Sequence, residues 1–312
     1  MKVMFALSKK EKGRKRNWKS VLKRNLLGWA FMIVPLLLFV FFVWYPMGRN
    51  IVLAFQSPDL ENPVFVGFQN FKDVFEDPTF LSALKNTFLY ILYSLLIGYL
   101  VPVILGFLLS EVIHAKGFFR VVLYLPCMIS GIAVVFLFNS MYGDGSTDLF
   151  NVIIQGFGLK PHPWKGSVNL VIPLIVLAMT WKGAGSTALI YLSSFQSIDD
   201  SMYEAARMDG ASSTQRFFRI TIPALRGTLL TLFVLQIISV FQVFYEPLVI
   251  GPNGGPLDAS MSLMLLSYLY AFNDFEYGKS AATSLILALI ILAFTLLYSL
   301  LDRFLKKKEG KA

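Results

Sequence analysis

The stretch from Leu285 to Leu297 reads LILALIILAFTLL, and it is apolar on every side. A strand of a membrane barrel alternates apolar and polar residues over about ten positions, so this uniform run indicates a helix instead. With its neighbours it extends over about 281–301. That length matches the roughly 20 residues that a helix needs to cross a hydrocarbon layer of about 30 Å. We therefore interpret this segment as a transmembrane helix.

Five further apolar runs lie in this chain of 312 residues, which has a mean hydropathy of +0.63 and only 15% charged residues. One soluble core cannot bury so much apolar side chain. In lipid, every backbone N–H and C=O must be paired, which favours helices for all six runs. We expect an all-α membrane protein with spans at about 27–46, 87–109 (broken by Pro102), 121–138, 168–192, 229–249 and 281–301.

The positions of the basic residues predict the orientation of these spans. Of the 28 Lys and Arg residues, 21 precede the first span, follow the last, or lie in the loops after spans two and four, whereas the other three loops hold six. The positive-inside rule then makes both termini cytoplasmic. The chain is therefore predicted to consist of a basic arm (1–26), a six-span domain (27–304) and a basic tail (305–312). Topology and contact with anionic lipid explain the net charge of +9, so we expect no nucleic-acid partner.

Residues for catalysis or metal binding are sparse. The chain has one cysteine, Cys127, and its two histidines, His114 and His162, fall on opposite sides of the predicted membrane. The stretch YGKS at 277–280 resembles the end of a phosphate-binding loop, but Asn273 stands where that loop needs glycine. We interpret this stretch as the start of the sixth span. We expect no catalytic residues, no metal and no cofactor bound by this chain, and therefore no enzyme.

A polar insert separates spans four and five and reads YEAARMDGASSTQRFFRITIP, from Tyr203 to Pro223. Ser201 followed by Glu204 predicts a capping box at the start of a first short helix, and Gly210 predicts its end. Ser212 followed by Gln215 predicts a second capped helix.

Pro223 is expected to stop that second helix, and Phe217 and Phe218 to anchor it against the membrane side. The first helix is either a solvated connector or a docking surface. Two adjacent alanines favour docking, because a partner protein can approach them closely. The face in question comprises Met202, Ala205, Ala206 and Asp209, with Glu204 and Arg207 at its edge.

This insert resembles the EAA loop of permeases from ATP-binding cassette (ABC) importers. The loop's pattern is Glu-Ala-Ala, three residues, Gly, nine residues, Ile, one residue and Leu-Pro. Here the positions hold Glu204-Ala205-Ala206, Gly210, Ile220 and Ile222-Pro223, so only the Leu differs. The resemblance implies a coupling loop at about 197–223 that contacts a cytoplasmic ATPase. The implied contact residues are Glu204, Ala205, Ala206, Arg207, Asp209 and Gly210.

Two other segments are similar to the maltose-type, binding-protein-dependent carbohydrate permeases: VGFQNFKDVFEDPTFLSALKNTFLY (66–90) and FQVFYEPLVIGPNGGP (241–256). The resemblance covers about 28–304. It implies a type I ABC importer permease-like fold in a bacterial cytoplasmic (inner) membrane. The implied partners are a second permease, an ABC ATPase dimer that binds ATP and Mg, an extracytoplasmic sugar-binding protein, a sugar and membrane lipid.

Polar residues within spans four and five indicate a transport path, because such groups usually face a bundle interior or a water-filled cavity. Lys182 either snorkels from a helix packed through small residues, or lies on a locally loosened helix that binds sugar, as the resemblance favours. Phe241, Phe244, Tyr245 and Leu248 lie at helical spacing and form either a core stripe or a sugar-stacking face. The candidate path residues are Trp181, Lys182, Gly183, Ser186, Phe241, Gln242, Phe244, Tyr245 and Glu246.

Glu246 is alternatively a rim charge or a partner for Lys182. An autonomous channel or secondary transporter is the competing class, and paired charges in several spans or an inverted repeat would support it. An importer of a non-sugar solute such as glycerol phosphate is the other alternative. A phosphorylated solute demands more than one cation on the path, and Lys182 is the single clear one within the predicted spans.

Overall fold

The computed structural model describes residues 18–59, 61–112 and 114–309. Within these ranges no residue belongs to a strand, and an isolated antiparallel bridge joins Gln56 to Phe65. The predicted all-α class is confirmed. Five helical segments in the described ranges are long and apolar enough to cross a membrane, and a bent helix pair makes a sixth.

The chain divides into two units, of which the first ends at Val52. The first unit is one long apolar helical segment. It comprises α1 (Trp18–Phe39), a π-helical turn (Val40–Trp44) and α2 (Tyr45–Leu53), whose last residue opens the second unit.

The second unit holds all remaining helices. In its first half these are α3 (Gln69–Glu76), α4 (Pro78–Tyr93), a π-helical turn (Ser94–Tyr99), α5 (Leu100–Glu111), α6 (Lys116–Met128), α7 (Gly131–Met141), α8 (Leu149–Gly156) and α9 (Val171–Phe195). In its second half they are α10 (Asp200–Met208), α11 (Ser213–Arg216), a π-helical turn (Phe217–Thr221), α12 (Ile222–Ala224), α13 (Arg226–Phe241), α14 (Tyr245–Ile250), two 3-10 turns (Pro252–Gly254 and Pro256–Asp258), α15 (Leu263–Phe272) and α16 (Tyr277–Glu309).

Helix α9 is the centre of the second unit. Thirteen of its 25 residues are buried, and it packs against α4, α5, α6, α7 and α14. Glycines allow the closest approaches. A Cβ atom on Gly185 would lie 1.7 Å from the carbonyl oxygen of Leu123 in α6, and one on Gly106 would lie 2.8 Å from Cβ of Tyr191. The sequence reading of tight packing through small residues therefore holds at Gly185.

The three π-helical turns have a common cause in proline. A proline in a helix clashes with the carbonyl group four residues earlier, and widening the helix at that residue relieves the clash. Pro46, Pro102 and Pro223 each follow one of these turns, and the residues four positions before them are Phe42, Gly98 and Arg219. All three of those residues lie within the π-helical turns. The predicted break of span two at Pro102 is therefore a local widening.

The predicted third span is not one continuous helix. It consists of α6 and α7, which meet at 92° around Ile129 and Ser130. Pro126 precedes the bend and Gly131 follows it, and both residues disfavour a continuous helix. The bend places the start of α7 against α9 in the middle of the unit.

The loop between α14 and α15 is anchored to one face of α4. The side-chain amide of Asn86 donates to the carbonyl oxygen of Asp258 at 2.7 Å, and the hydroxyl of Tyr90 donates to that of Ser260 at 3.0 Å. Thr87 Oγ1 accepts from the backbone N–H of Leu263 at 3.1 Å. These bonds hold the loop that contains Gly254, Gly255 and Pro256 against α4.

Candidate functional site

The insert between α9 and α13 folds as the segment from Asp199 to Leu225, called here the α10–α12 segment. Asp199 caps α10 by accepting from the backbone N–H of Ser201 at 2.9 Å, and this bond holds the pKa of Asp199 below its usual range. Ser201 is therefore the second residue of the helix, and the predicted Ser201–Glu204 capping box is wrong. An aspartate two residues earlier is an equally good cap and starts the helix sooner.

The end of α10 and the start of α11 agree with the sequence analysis. Gly210 has φ +75°. The N–H of Gly210 bonds to the carbonyl of Arg207, and that of Ala211 to the carbonyl of Ala206, which is a Schellman motif. Ser212 and Gln215 then form the predicted capping box. The two helices thus form a tight hairpin.

Pro223 does not stop the second helix, contrary to expectation. The helical path continues from Ser213 to Ala224 because the π-helical turn accommodates the proline, and it ends at Leu225 (φ −91°, ψ 3°). α13 begins at the next residue. The α10–α12 segment is consequently joined to α13 through a single residue without helical geometry.

The predicted contact residues form the outer surface of this segment. Glu204, Ala205, Arg207, Asp209 and Gly210 are exposed and Ala206 is half-buried. The flanking residues Met202 and Met208 are 49% and 89% exposed. A surface of small, charged and flexible apolar side chains at a helix that packs little is suited to contact another protein.

A cleft of about 680 Å³ adjoins this surface, between α10 and the ends of α5 and α9, and Glu204 and Arg207 belong to both. Its lining includes the charged residues Glu111, Lys116, Asp200, Glu204, Arg207 and Arg216. Phe217 crosses from the segment to the bundle and packs on Phe107 with 4.7 Å between ring centroids, as its anchoring role requires. Phe218 is 63% exposed and packs on Phe217.

Sequence reasoning missed a contact within the segment. The hydroxyl of Tyr203, on α10, lies 2.8 Å from Oγ1 of the buried Thr221. A tyrosine directly before Glu204 and a threonine between apolar residues were the available signals.

The candidate path residues lie where two interrupted helices meet α9. α7 starts at Gly131 after the bend, and α14 starts at Tyr245 after α13 ends at Phe241. α7 packs against α14, and both pack against α9. Interrupted helices at mid-membrane depth are characteristic of transporter binding sites, because their free backbone groups need a cavity or polar partner.

Lys182 and Glu246 are brought together at this junction. Cε of Lys182 lies 3.8 Å from the position that a Cβ of Gly131 would take, and Glu246 lies in the first turn of α14. Both side chains are half-buried and interact electrostatically, although their charged atoms are more than 4.0 Å apart. The structure gives no ion pair between Lys182 and Glu246, so the readings of Glu246 as a rim charge or a partner of Lys182 both stay predictions.

One interpretation of Lys182 placed it on a locally loosened, sugar-binding helix, and the structure does not show this loosening. α9 is continuous, and the hydroxyl of Ser186 bonds within it to the carbonyl of Gly183 at 2.9 Å. Trp181 is 41% exposed and packs edge-on against Phe138 at 5.5 Å. The interruptions lie in the neighbouring helices instead.

The aromatic stripe of span five is not one helical face, because the helix breaks between Phe241 and Tyr245. Phe241 is buried between Phe88 and Phe294, with centroid distances of 6.0 and 6.3 Å. Phe244 packs on Tyr268, at 4.9 Å. Leu248 packs in the same apolar cluster. These side chains serve the core.

The exposed aromatic and amide groups near the break are Tyr245, at 57% exposure, and Gln242, whose amide donates to the carbonyl of Ile238 at 3.0 Å. A polar pair that the sequence analysis missed lies deeper. Gln236 on α13 donates to Ser94 Oγ at the π-helical turn after α4. Gln236 and Ser94 are polar residues within apolar stretches of sequence, and this was the available signal for the pair.

Among the described residues, no group of three His, Cys, Asp or Glu side chains could hold a metal.

A comparison with known families matches residues 95–307 to the "Binding-protein-dependent transport system inner membrane component". The match covers more than half of the 312 residues. The chain belongs to this family. It is a membrane permease component of a transport system, and the resemblance drawn from its EAA pattern is confirmed.

Two relatives and a solved structure extend this finding. The chain is 33% identical to the "Probable ABC transporter permease protein YurN" of Bacillus subtilis (strain 168), over 85% of this chain and 92% of that protein. It is 31% identical to the "Arabinooligosaccharides transport system permease protein AraP" of the same organism, over 83% of each. A chain of the "bacterial alginate ABC transporter in complex with alginate pentasaccharide-bound periplasmic protein" superposes with a TM-score of 0.81 at 26% identity, over 94% of this chain and 99% of that one. The predicted type I ABC importer permease fold is thereby confirmed.

Proposed function

We propose that this chain is one permease subunit of an ATP-driven ABC importer for a sugar or oligosaccharide in the bacterial inner membrane. The observation that carries the proposal is the α10–α12 segment, an exposed capped hairpin with the EAA pattern that is joined by one residue to a path-lining helix. Relatives that transport arabino-oligosaccharides and alginate support a carbohydrate substrate. Both termini are cytoplasmic in this proposal.

Coupling occurs at α10. A cytoplasmic ATPase dimer binds ATP and Mg and holds the exposed face of Glu204, Ala205, Ala206, Arg207, Asp209 and Gly210. When the ATPase closes, α10 moves with it, and this chain and a second permease rock against each other. A ligand-driven change requires a difference in affinity between two states, so ATP stabilises the outward-facing one.

The sugar passes the junction of α7, α9 and α14. Lys182 and Glu246 supply a hydrogen-bond donor and acceptor for hydroxyl groups, and Trp181 and Tyr245 offer exposed aromatic faces to sugar rings. Gly183, Ser186, Gln242, Phe241 and Phe244 complete the proposed path, the last two as its packed support. An extracytoplasmic binding protein delivers the sugar, as the alginate-transporter complex suggests.

The test is uptake by the complete importer in proteoliposomes, with ATP on the ATPase side and a panel of radiolabelled neutral oligosaccharides. We expect ATP-dependent uptake in wild type and its loss in Glu204→Ala. Thr214→Ala, at an exposed site on the neighbouring helix α11, is the matched control and should transport normally. Uptake that continues without ATP, or that is unaffected by Glu204→Ala, would contradict the proposal.

A further inference from the structure

Helix α10 has few attachments to the rest of the described chain. It packs little against any other helix, and the cleft of about 680 Å³ separates it from the ends of α5 and α9. Its following turn contains Gly210 at positive φ, a backbone position with wide torsional freedom. Without a cross-link, a displacement of α10 would be absorbed by this turn.

The cross-link that the structure provides is the hydroxyl pair of Tyr203 and Thr221, at 2.8 Å. Thr221 is only 2% exposed and ends the π-helical turn. Its Oγ1 also lies 3.4 Å from the carbonyl oxygen of Arg216, to which it can only donate. Tyr203 and Thr221 share one short hydrogen bond, in which either hydroxyl can donate, and the carbonyl of Arg216 lies beside it.

Thr221 is well placed to pass a displacement onward. It is followed by α12, by the single non-helical residue Leu225, and then by α13. α13 leads to the interruption before Glu246 in α14. Leu225 is itself buried, at 3% exposure, and packs with Tyr191 and Phe195 of α9, so this end of the segment is fixed in the bundle.

We propose that Tyr203 is a positioning residue, which transmits the movement of α10 to α13 through its hydrogen bond to Thr221. This inference rests on the proposed coupling function of α10. The bond makes the two helices of the hairpin move as one body, so force applied at the exposed face reaches the base of α13. Tyr203 itself need not contact the ATPase.

The experiment uses the complete importer in proteoliposomes and measures oligosaccharide uptake and ATP hydrolysis in the same vesicles. Tyr203→Phe and Thr221→Val each remove one hydroxyl, and Thr221→Ser restores it. We expect the first two to keep ATP hydrolysis but to lower uptake per ATP by about five- to tenfold, the effect of one net hydrogen bond. Thr221→Ser should recover the wild-type ratio.

The double variant Tyr203→Phe/Thr221→Val should be no worse than Thr221→Val alone, because Tyr203→Phe removes only a bond that Thr221→Val has already removed. Tyr124→Phe is the matched control, since the described part of the chain gives its hydroxyl no hydrogen bond, and it should behave as wild type. Subunit stoichiometry and thermal unfolding are measured for every variant. If Tyr203→Phe fails to assemble, the uptake per ATP of Thr221→Val compared with that of Thr221→Ser still tests whether the hydroxyl of Thr221 is needed.

The outcomes separate this inference from the proposed function. If Glu204→Ala lowers uptake per ATP while Tyr203→Phe and Thr221→Val do not, the hydroxyl pair is not the link, although α10 still couples. Additive losses in the double variant would also overturn the inference. If Glu204→Ala and Tyr203→Phe both leave the ratio unchanged, the proposed coupling function itself fails.

Discussion

At the scale of single residues, Gly210 shows how one backbone conformation shapes the proposed coupling surface. Its φ of +75° is costly for any residue with a Cβ atom, by about 1–2 kcal/mol, and asparagine tolerates it better than alanine. We predict that Gly210→Ala destabilises the turn after α10 and lowers ATP-driven uptake, whereas Gly210→Asn retains more of it.

The measurement for Gly210 is hydrogen exchange of the amides at 208–211 together with uptake. Faster exchange is expected in Gly210→Ala. Gly227→Ala, in α13 with open space around its Cβ position, is the control and should leave exchange at 208–211 unchanged. Equal exchange in wild type and Gly210→Ala would show that the positive φ is not needed there.

Lys182 and Glu246 provide the second test at this scale. Each is half-buried, and removing one charge leaves the other uncompensated in a poorly hydrated place. We predict that Lys182→Met and Glu246→Gln each lower uptake by at least about tenfold, the loss of a hydrogen bond to a charged group. The double variant should regain thermal stability but not uptake, because the sugar contacts remain absent.

If the double variant recovered uptake as well, the two residues would serve charge balance alone and the sugar would bind elsewhere. Lys85→Met, which removes an exposed cation in the middle of α4, is the control. It should leave both uptake and unfolding temperature as in wild type.

At the scale of helices, sequence reasoning located every span but not their interruptions. Continuous apolar runs are sufficient to predict helices in lipid, since no other partner exists for the backbone. The break between Phe241 and Tyr245 lies inside such a run, so the aromatic stripe was misread as one face. Its local signal is Pro247, whose ring clashes with the carbonyl group of Val243 four residues earlier; that carbonyl accepts from the hydroxyl of Ser262 instead.

Proline gave a misleading signal for a physical reason. Pro223 was expected to end its helix, yet a helix widened by one residue per turn tolerates the ring. Likewise, Asp199 and not Ser201 caps α10, because sequence spacing alone does not decide which of two suitable residues becomes the N-cap. The coupling segment itself was predictable because its glycine, cap and charges are local signals. The Tyr203–Thr221 bond joins residues 18 positions apart and depends on the folded hairpin.

Helix packing around α9 makes a prediction with an internal control. A Cβ on Gly185 would lie 1.7 Å from a main-chain oxygen, so Gly185→Ala must push α6 and α9 apart. Overpacking of this kind costs about 1–3 kcal/mol, and we expect a lower unfolding temperature in detergent. Gly183→Ala, two residues away with nothing within 4 Å, should be neutral or slightly stabilising. Equal unfolding temperatures would contradict the close approach.

At the scale of the whole molecule, the proposed function makes this chain one part of an assembly. The chain has a proposed path at the junction and a proposed coupling hairpin, but it shows neither an ATP site in its sequence nor a metal site among its described residues. An isolated channel or secondary transporter would need its own energy coupling, such as paired charges along several spans. At the junction of α7, α9 and α14, the described structure has one pair of opposite charges, Lys182 and Glu246.

The most direct test of the central claim is the composition of the native complex. The tagged chain is purified from its own membrane in a mild detergent that preserves complexes, and stoichiometric partners are identified by mass spectrometry. The account predicts recovery of an ATPase with a phosphate-binding loop and of a second permease with its own EAA pattern, both absent from an untagged control. Recovery of this chain alone would contradict it and indicate an autonomous transporter.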